Sequence, residues 1–163
     1  MRESALSLTA ATPEQTRAIG ARVAAAIRAA DVAGPLVIGL SGDLGAGKTT
    51  LVSGLLGALG HEGPVRSPTY TLIEPYRLVG RDFHHCDLYR LRDPAELDDL
   101  GLRDLMVERS VLLVEWPERA GDRLGAPDLM LRLGYLNDGR SVAVDVASEQ
   151  GRRVADALRL DHA

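Results

Sequence analysis

Residues Gly42-Asp43-Leu44-Gly45-Ala46-Gly47-Lys48-Thr49 spell the pattern G-x-x-x-x-G-K-[ST], and no other stretch of the chain so narrows what it can fold into. A polyphosphate is wrapped by backbone N–H groups, which requires a tightly curled glycine loop opening the N-terminus of a helix. The flanks agree: Leu36-Val37-Ile38-Gly39-Leu40 predicts a buried strand before the loop, and Lys48 to Leu59, closed by Gly60, predicts the helix after it. Gly42, Gly45 and Gly47 supply the backbone freedom. Lys48 is expected to reach the β and γ phosphates, and the Thr49 hydroxyl to ligate a bridging Mg²⁺. Lys48 is also the one lysine among 19 basic residues, the rest being arginine.

Two apolar strand ends offer the carboxylates that such chemistry needs. Asp87 closes Phe83-His84-His85-Cys86-Asp87, and Glu115 closes the run Val111-Leu112-Leu113-Val114. Asp87 is read as a magnesium contact, and Glu115 as an outer metal contact or the general base. The Glu115 strand is the more apolar, so it is expected beside Leu36 to Leu40. His84, His85, Cys86 and Asp87 together suggest zinc, but successive strand residues point to opposite faces, so at most two could converge on one ion. Cys86 then reads as a packed thiol. Ser67-Pro68-Thr69 follows the loop's helix, where a hydroxyl can sense the γ phosphate; Thr69 is the candidate, against a plain turn. Trp116 lies beside Glu115, against either nucleotide or the core edge.

At 163 residues and 45% hydrophobic, the chain is expected to form one domain spanning residues 1 to 163. A net charge of −4 argues against a surface that grips nucleic acid by itself. One cysteine, no signal-peptide core, and no apolar run near the ~18 residues of a membrane span point to the cytoplasm.

The remaining pattern is that of an α/β chain. Thr12 can cap a helix, with Pro13 in its first turn and Gln15 completing a capping box, and Ile19, Val23 and Ile27 carry its apolar stripe to about Ala30. Thr69 to Leu78 and Asp82 to Tyr89 are expected to pair as a hairpin across Gly80. Asp93-Pro94 starts a helix that Gly101 interrupts. Leu129 to Leu136 and Ser141 to Val146 flank the turn Asn137-Asp138-Gly139, and Ser148 caps a last helix to about Leu160. The expected class is a three-layer P-loop nucleoside-triphosphatase fold with a mixed, partly parallel central sheet and a C-terminal β-hairpin plus helix.

Four blocks taken together resemble one known family: Gly42 to Thr50, Ser67-Pro68-Thr69-Tyr70-Thr71-Leu72, His85-Cys86-Asp87-Leu88-Tyr89-Arg90-Leu91, and Val114-Glu115-Trp116-Pro117. In this order and spacing the chain is similar to the TsaE family, small bacterial ATPases of tRNA threonylcarbamoyladenosine biosynthesis, in register from about Thr12 to Pro117. The resemblance implies a cytoplasmic, Mg²⁺-dependent ATPase serving threonylcarbamoyl-transferase subunits of the TsaD and TsaB type, with tRNA held through those partners. It also implies that Gly42, Asp43 and Leu44 to Thr49, with Thr50, surround ATP, with Lys48 acting on the phosphates. By the same likeness Thr49 and Glu115 hold magnesium, Asp87 joins the metal or base chemistry, Thr69 belongs to a switch-like segment, and Trp116 lies beside the active site. One departure is the cysteine before Asp87, where an aromatic residue is familiar; it bears on local packing.

Three other readings share the same loop. A small-molecule kinase would need an acceptor pocket and an arginine-bearing lid, for which Arg119 to Arg123 is short. A GTPase would read guanine with Asn-Lys-x-Asp, which a chain whose sole lysine is Lys48 lacks, so adenine is preferred. A nucleotide-gated adaptor would use ATP to order Ser67 to Thr71, with hydrolysis incidental.

Overall fold

In the computed structural model, which describes residues 4–162, the apolar runs line up in one seven-stranded sheet. Its strands are β1 (Leu6–Ala10), β2 (Leu36–Ser41), β3 (Ile73–Leu78), β4 (Arg81–Asp87), β5 (Val111–Glu115), β6 (Leu129–Leu136) and β7 (Gly139–Val146). Their spatial order is β1-β7-β6-β2-β5-β4-β3. The middle of the sheet is parallel, with β2 between β5 and β6, and β4 beside β5; the pairs β1–β7, β6–β7 and β3–β4 are antiparallel. The mixed, partly parallel sheet and its C-terminal hairpin are therefore as expected. Leu36, Ile38 and Leu40 of β2 are essentially fully buried, each contributing roughly 1.5–3 kcal/mol.

One face of the sheet is covered by three long helices, α1 (Pro13–Ala30), α2 (Lys48–Ala58) and α5 (Glu149–His162). Thr12 accepts the Gln15 amide at 3.2 Å, and the Gln15 side chain in turn accepts from Ala11 N at 2.6 Å, so the predicted capping box closes one residue early. Where α1 meets α2, a Cβ on Gly54 would lie 2.1 Å from the Arg17 carbonyl, and one on Gly20 would lie 2.1 Å from that of Leu51. Alanine at either position would push the helices apart, and with them the start of α2. The opposite face carries a second apolar cluster beneath the short helices α3 (Glu96–Asp99) and α4 (Leu102–Leu105) and a 3-10 segment, Pro117–Arg123. Gly101, at φ 72°, is the break between α3 and α4.

Two features depart from expectation. The alternating Leu6, Leu8 and Ala10 form an edge strand on β7 that was not anticipated, and they do so because β7 offers an unpaired edge. Residues 69–72, expected to be extended, instead make a turn in which Leu72 N donates to Pro68 O and Leu72 adopts φ 62°. Pro68 fixes its own φ and cannot donate, which favours a turn before the strand begins at Ile73.

Candidate active site

Register builds the site. Leu40 of β2 pairs with Glu115 of β5, and Glu115 pairs with Asp87 of β4, so three adjacent parallel strands end level with one another. The glycine loop leaves β2 at that edge and turns into α2, whose first residues are Lys48 and Thr49. Gly47 caps the helix at φ 105°, a backbone setting in which any Cβ is strained. Ligands of parallel α/β sheets bind beyond such carboxyl ends.

Lys48 is 5% exposed, and its Nζ donates to the loop's own carbonyls, Gly42 O at 2.5 Å and Asp43 O at 3.1 Å. Burial holds the ammonium below its ordinary pKa, an effect that the carboxylates of Glu115 and Asp87 partly offset. The same ammonium lies 4.3 Å from the centre of the Trp116 ring. Trp116 leaves β5 in the left-handed region, at φ 58°, with its N–H donating to Leu40 O at 3.2 Å. A bulky side chain so placed is costly by about 1–2 kcal/mol, and the turn is tied to the neighbouring strand that compels it.

Glu115 is 3% exposed. The Thr49 hydroxyl lies 2.9 and 3.0 Å from its two carboxylate oxygens, and His85 Nε2 lies 2.6 Å from Oε2. Asp87 stands at the next strand end, accepting from the Ser67 hydroxyl and, at 3.0 Å, from Tyr89 N. Thr69 donates to Ser67 O at 3.2 Å, which ties the turn to the same corner. Alternation along β4 puts Phe83, His85 and Asp87 on the helix-covered face and His84 and Cys86 on the other. Cys86 is wholly buried, and that burial pushes its thiol up to about 12.

An open cleft of about 400 Å³ collects these groups: Leu44, Gly45, Gly47, Lys48, Thr49, Thr50, Ser67, Thr69, Asp87, Glu115 and Trp116 line it. Three sequence candidates lie outside its walls. Ala46 is fully buried beneath the loop, while Gly42 and Asp43 turn their carbonyls to Lys48. The fold also brings Tyr89 and Arg90 to the cleft, and Arg90 is the one arginine that lines it among the described residues. No spacing rule could single it out of 18 arginines. A second cleft of about 330 Å³ shares Gly45, Gly47 and Thr50 with the first and runs between the start of α1 and the β6–β7 turn. There the hairpin clasps the loop: Tyr135 donates to Leu44 O at 3.1 Å and Arg140 to Gly45 O at 3.2 Å. His85, Tyr135 and Arg140 were legible only as a strand and a hairpin, since nothing local shows what they reach.

Comparison with known proteins gives the same direction throughout. The family profile "Threonylcarbamoyl adenosine biosynthesis protein TsaE" matches residues 10–142. The chain is 42% identical over 123 residues to a Haemophilus influenzae protein named tRNA threonylcarbamoyladenosine biosynthesis protein TsaE, covering 76% of this chain and 78% of that one. A Bacillus subtilis protein of the same name is 39% identical over 126 residues, 77% and 75% of the two chains. The crystal structure of Bacillus subtilis YdiB superposes with a TM-score of 0.75 at 26% identity, over 100% of this chain and 99% of that one. With its sequence matched across most of its length and its fold matched throughout, this chain belongs to the TsaE family.

Proposed function

We propose that the chain binds Mg-ATP in the 400 Å³ cleft and hydrolyses it in support of tRNA threonylcarbamoyladenosine formation, acting with threonylcarbamoyl-transferase subunits. The observation that carries this reading is the contact between Thr49 and Glu115 at the mouth of the glycine loop, with Lys48 alongside. In this reading Lys48 exchanges two neutral carbonyls for phosphate oxygens, a charge-assisted and therefore stronger contact. Loop amides and the N-terminus of α2 complete the anion cradle. Adenine and ribose occupy the adjoining cleft between Thr12, Pro13 and Arg140.

The donor set suits magnesium. By donating its one hydrogen to Glu115, the Thr49 hydroxyl keeps lone pairs for a cation, and the other nearby ligands are carboxylate oxygens, Glu115 and Asp87. Bound Mg²⁺ would neutralise charge on the phosphates and orient them. Asp87, steadied by Ser67 at the next strand end, lines the same cleft and would orient the attacking water; Thr69, on the same turn, would report whether the terminal phosphate is present. Net charge of −4 leaves tRNA to be gripped by the partner subunits. A single arginine at an exposed cleft wall, Arg90, is consistent with slow turnover that partners accelerate.

The test is ATP turnover measured with and without the transferase subunits and tRNA. Glu115→Ala is expected to keep metal-free ATP binding and to dock normally, while turnover and tRNA modification fall by at least ~100-fold. If modification by that variant runs undiminished, the protein is a nucleotide-gated adaptor and the hydrolytic reading fails.

A further inference from the structure

We propose that His85 is the positioning residue of the site: its Nε2–H holds the Glu115 carboxylate in the orientation that meets Thr49, and so sets how tightly nucleotide-bound magnesium is held. This rests on the reading of Glu115 and Thr49 as the metal-facing pair.

His85 lies in the middle of β4, two residues before Asp87, and pairs with Leu113, two residues before Glu115. Both residues therefore project from neighbouring strands onto the same face. The imidazole is 0% exposed and its Nε2 is 2.6 Å from Glu115 Oε2. A carboxylate only accepts, so Nε2 carries the hydrogen and the ring is held in that tautomer. The other ring nitrogen, Nδ1, is buried and has no hydrogen-bond partner among the described residues. A leucine would fill this apolar strand position without orphaning a polar atom, so packing does not account for a histidine here. What the imidazole adds is the bond to Glu115.

That bond has a geometric consequence. The Glu115 side chain has three rotatable bonds, and Thr49 offers one hydrogen shared across both carboxylate oxygens at nearly equal distance. Thr49 alone thus leaves the carboxylate free to swing about the Cγ–Cδ axis. Fixing Oε2 from the strand side removes that swing and directs the plane at the head of α2. Hydrogen-bond partners that orient metal-facing carboxylates commonly alter metal affinity by 10–100-fold when removed.

The experiment measures ADP affinity by calorimetry in EDTA and across a Mg²⁺ titration, for the wild type, His85→Leu, His85→Gln and Glu115→Ala. His85→Leu is expected to keep metal-free ADP affinity within about twofold while the Mg²⁺ concentration for half-maximal tightening rises roughly tenfold. His85→Gln, whose amide N–H reaches in the same direction, should return to within about threefold of wild type. If the leucine variant fails to fold, His85→Asn, whose amide stops short of Glu115, replaces it with the same expectation. The proposal is overturned by a His85→Leu response equal to wild type, or by His85→Gln as impaired as His85→Leu. A wild type without Mg²⁺-dependent tightening, or Glu115→Ala with it intact, overturns the metal reading of the site itself and the role of His85 along with it.

Discussion

Strand β4 starts at one buried cation and ends beside another, and the two are held differently. At its first residue Arg81 is 3% exposed and donates to Val32 O at 2.9 Å and to the Asp31 carboxylate at 2.7 Å. Asp31 caps α1 in the left-handed region, and its bonds to Arg81 and then Arg109 hold its carboxyl below the usual range. At the far end Lys48 is equally buried, yet its hydrogen-bond partners are two carbonyls of its own loop. A planar guanidinium locked to a carboxylate and a helix end closes the fold, whereas a point charge resting on neutral oxygens can exchange them for an anion. Burial alone does not separate a cation locked into the fold from one free to take a ligand; the partners do.

Removing each cation should break the comparison in opposite ways. Lys48→Ala is expected to weaken ATP binding by about 100-fold, from a lost charged contact worth about 1.5–3 kcal/mol, with little change in the urea midpoint. Unchanged affinity by calorimetry would count heavily against the site. Arg81→Ala should do the reverse, lowering unfolding stability by about 2 kcal/mol as the Val32 carbonyl loses its donor, with ATP affinity intact. A loss of binding there would mean that the two ends are coupled through β4. The smallest effect is optical: because Lys48 sits 4.3 Å over the Trp116 ring, ATP that draws the ammonium away should shift or quench tryptophan emission. Arg81→Ala should show the same change as the wild type, and a silent titration at saturating ATP would remove Trp116 from the nucleotide's surroundings.

Much of the architecture was readable because it is encoded locally. The apolar run Val111 to Val114, the cap at Thr12, and the turn at Asn137-Asp138 each declare an element within a few residues. The octapeptide from Gly42 to Thr49 likewise marks where a strand must yield to a helix. What escaped is what depends on a distant partner. Leu6 to Ala10 is too short to stand alone and becomes a strand by pairing with β7. Residues 69–72 keep the turn that Pro68 favours because Asp87 N, at the corner of the sheet, donates to Leu72 O. Arg90 reaches the cleft, and Arg140 the loop, through a fold that brings chain segments together across tens of residues.

The sequence by itself determined which residues could carry charge and curl around phosphate, since those capacities belong to glycine, lysine, threonine and carboxylate side chains wherever they stand. Only the tertiary structure decided that Leu40, Glu115 and Asp87 end at one level and that His85 meets Glu115. The physical reason is register: strand pairing aligns residues far apart in the chain to within a few ångströms, and no local pattern specifies which residue will face which.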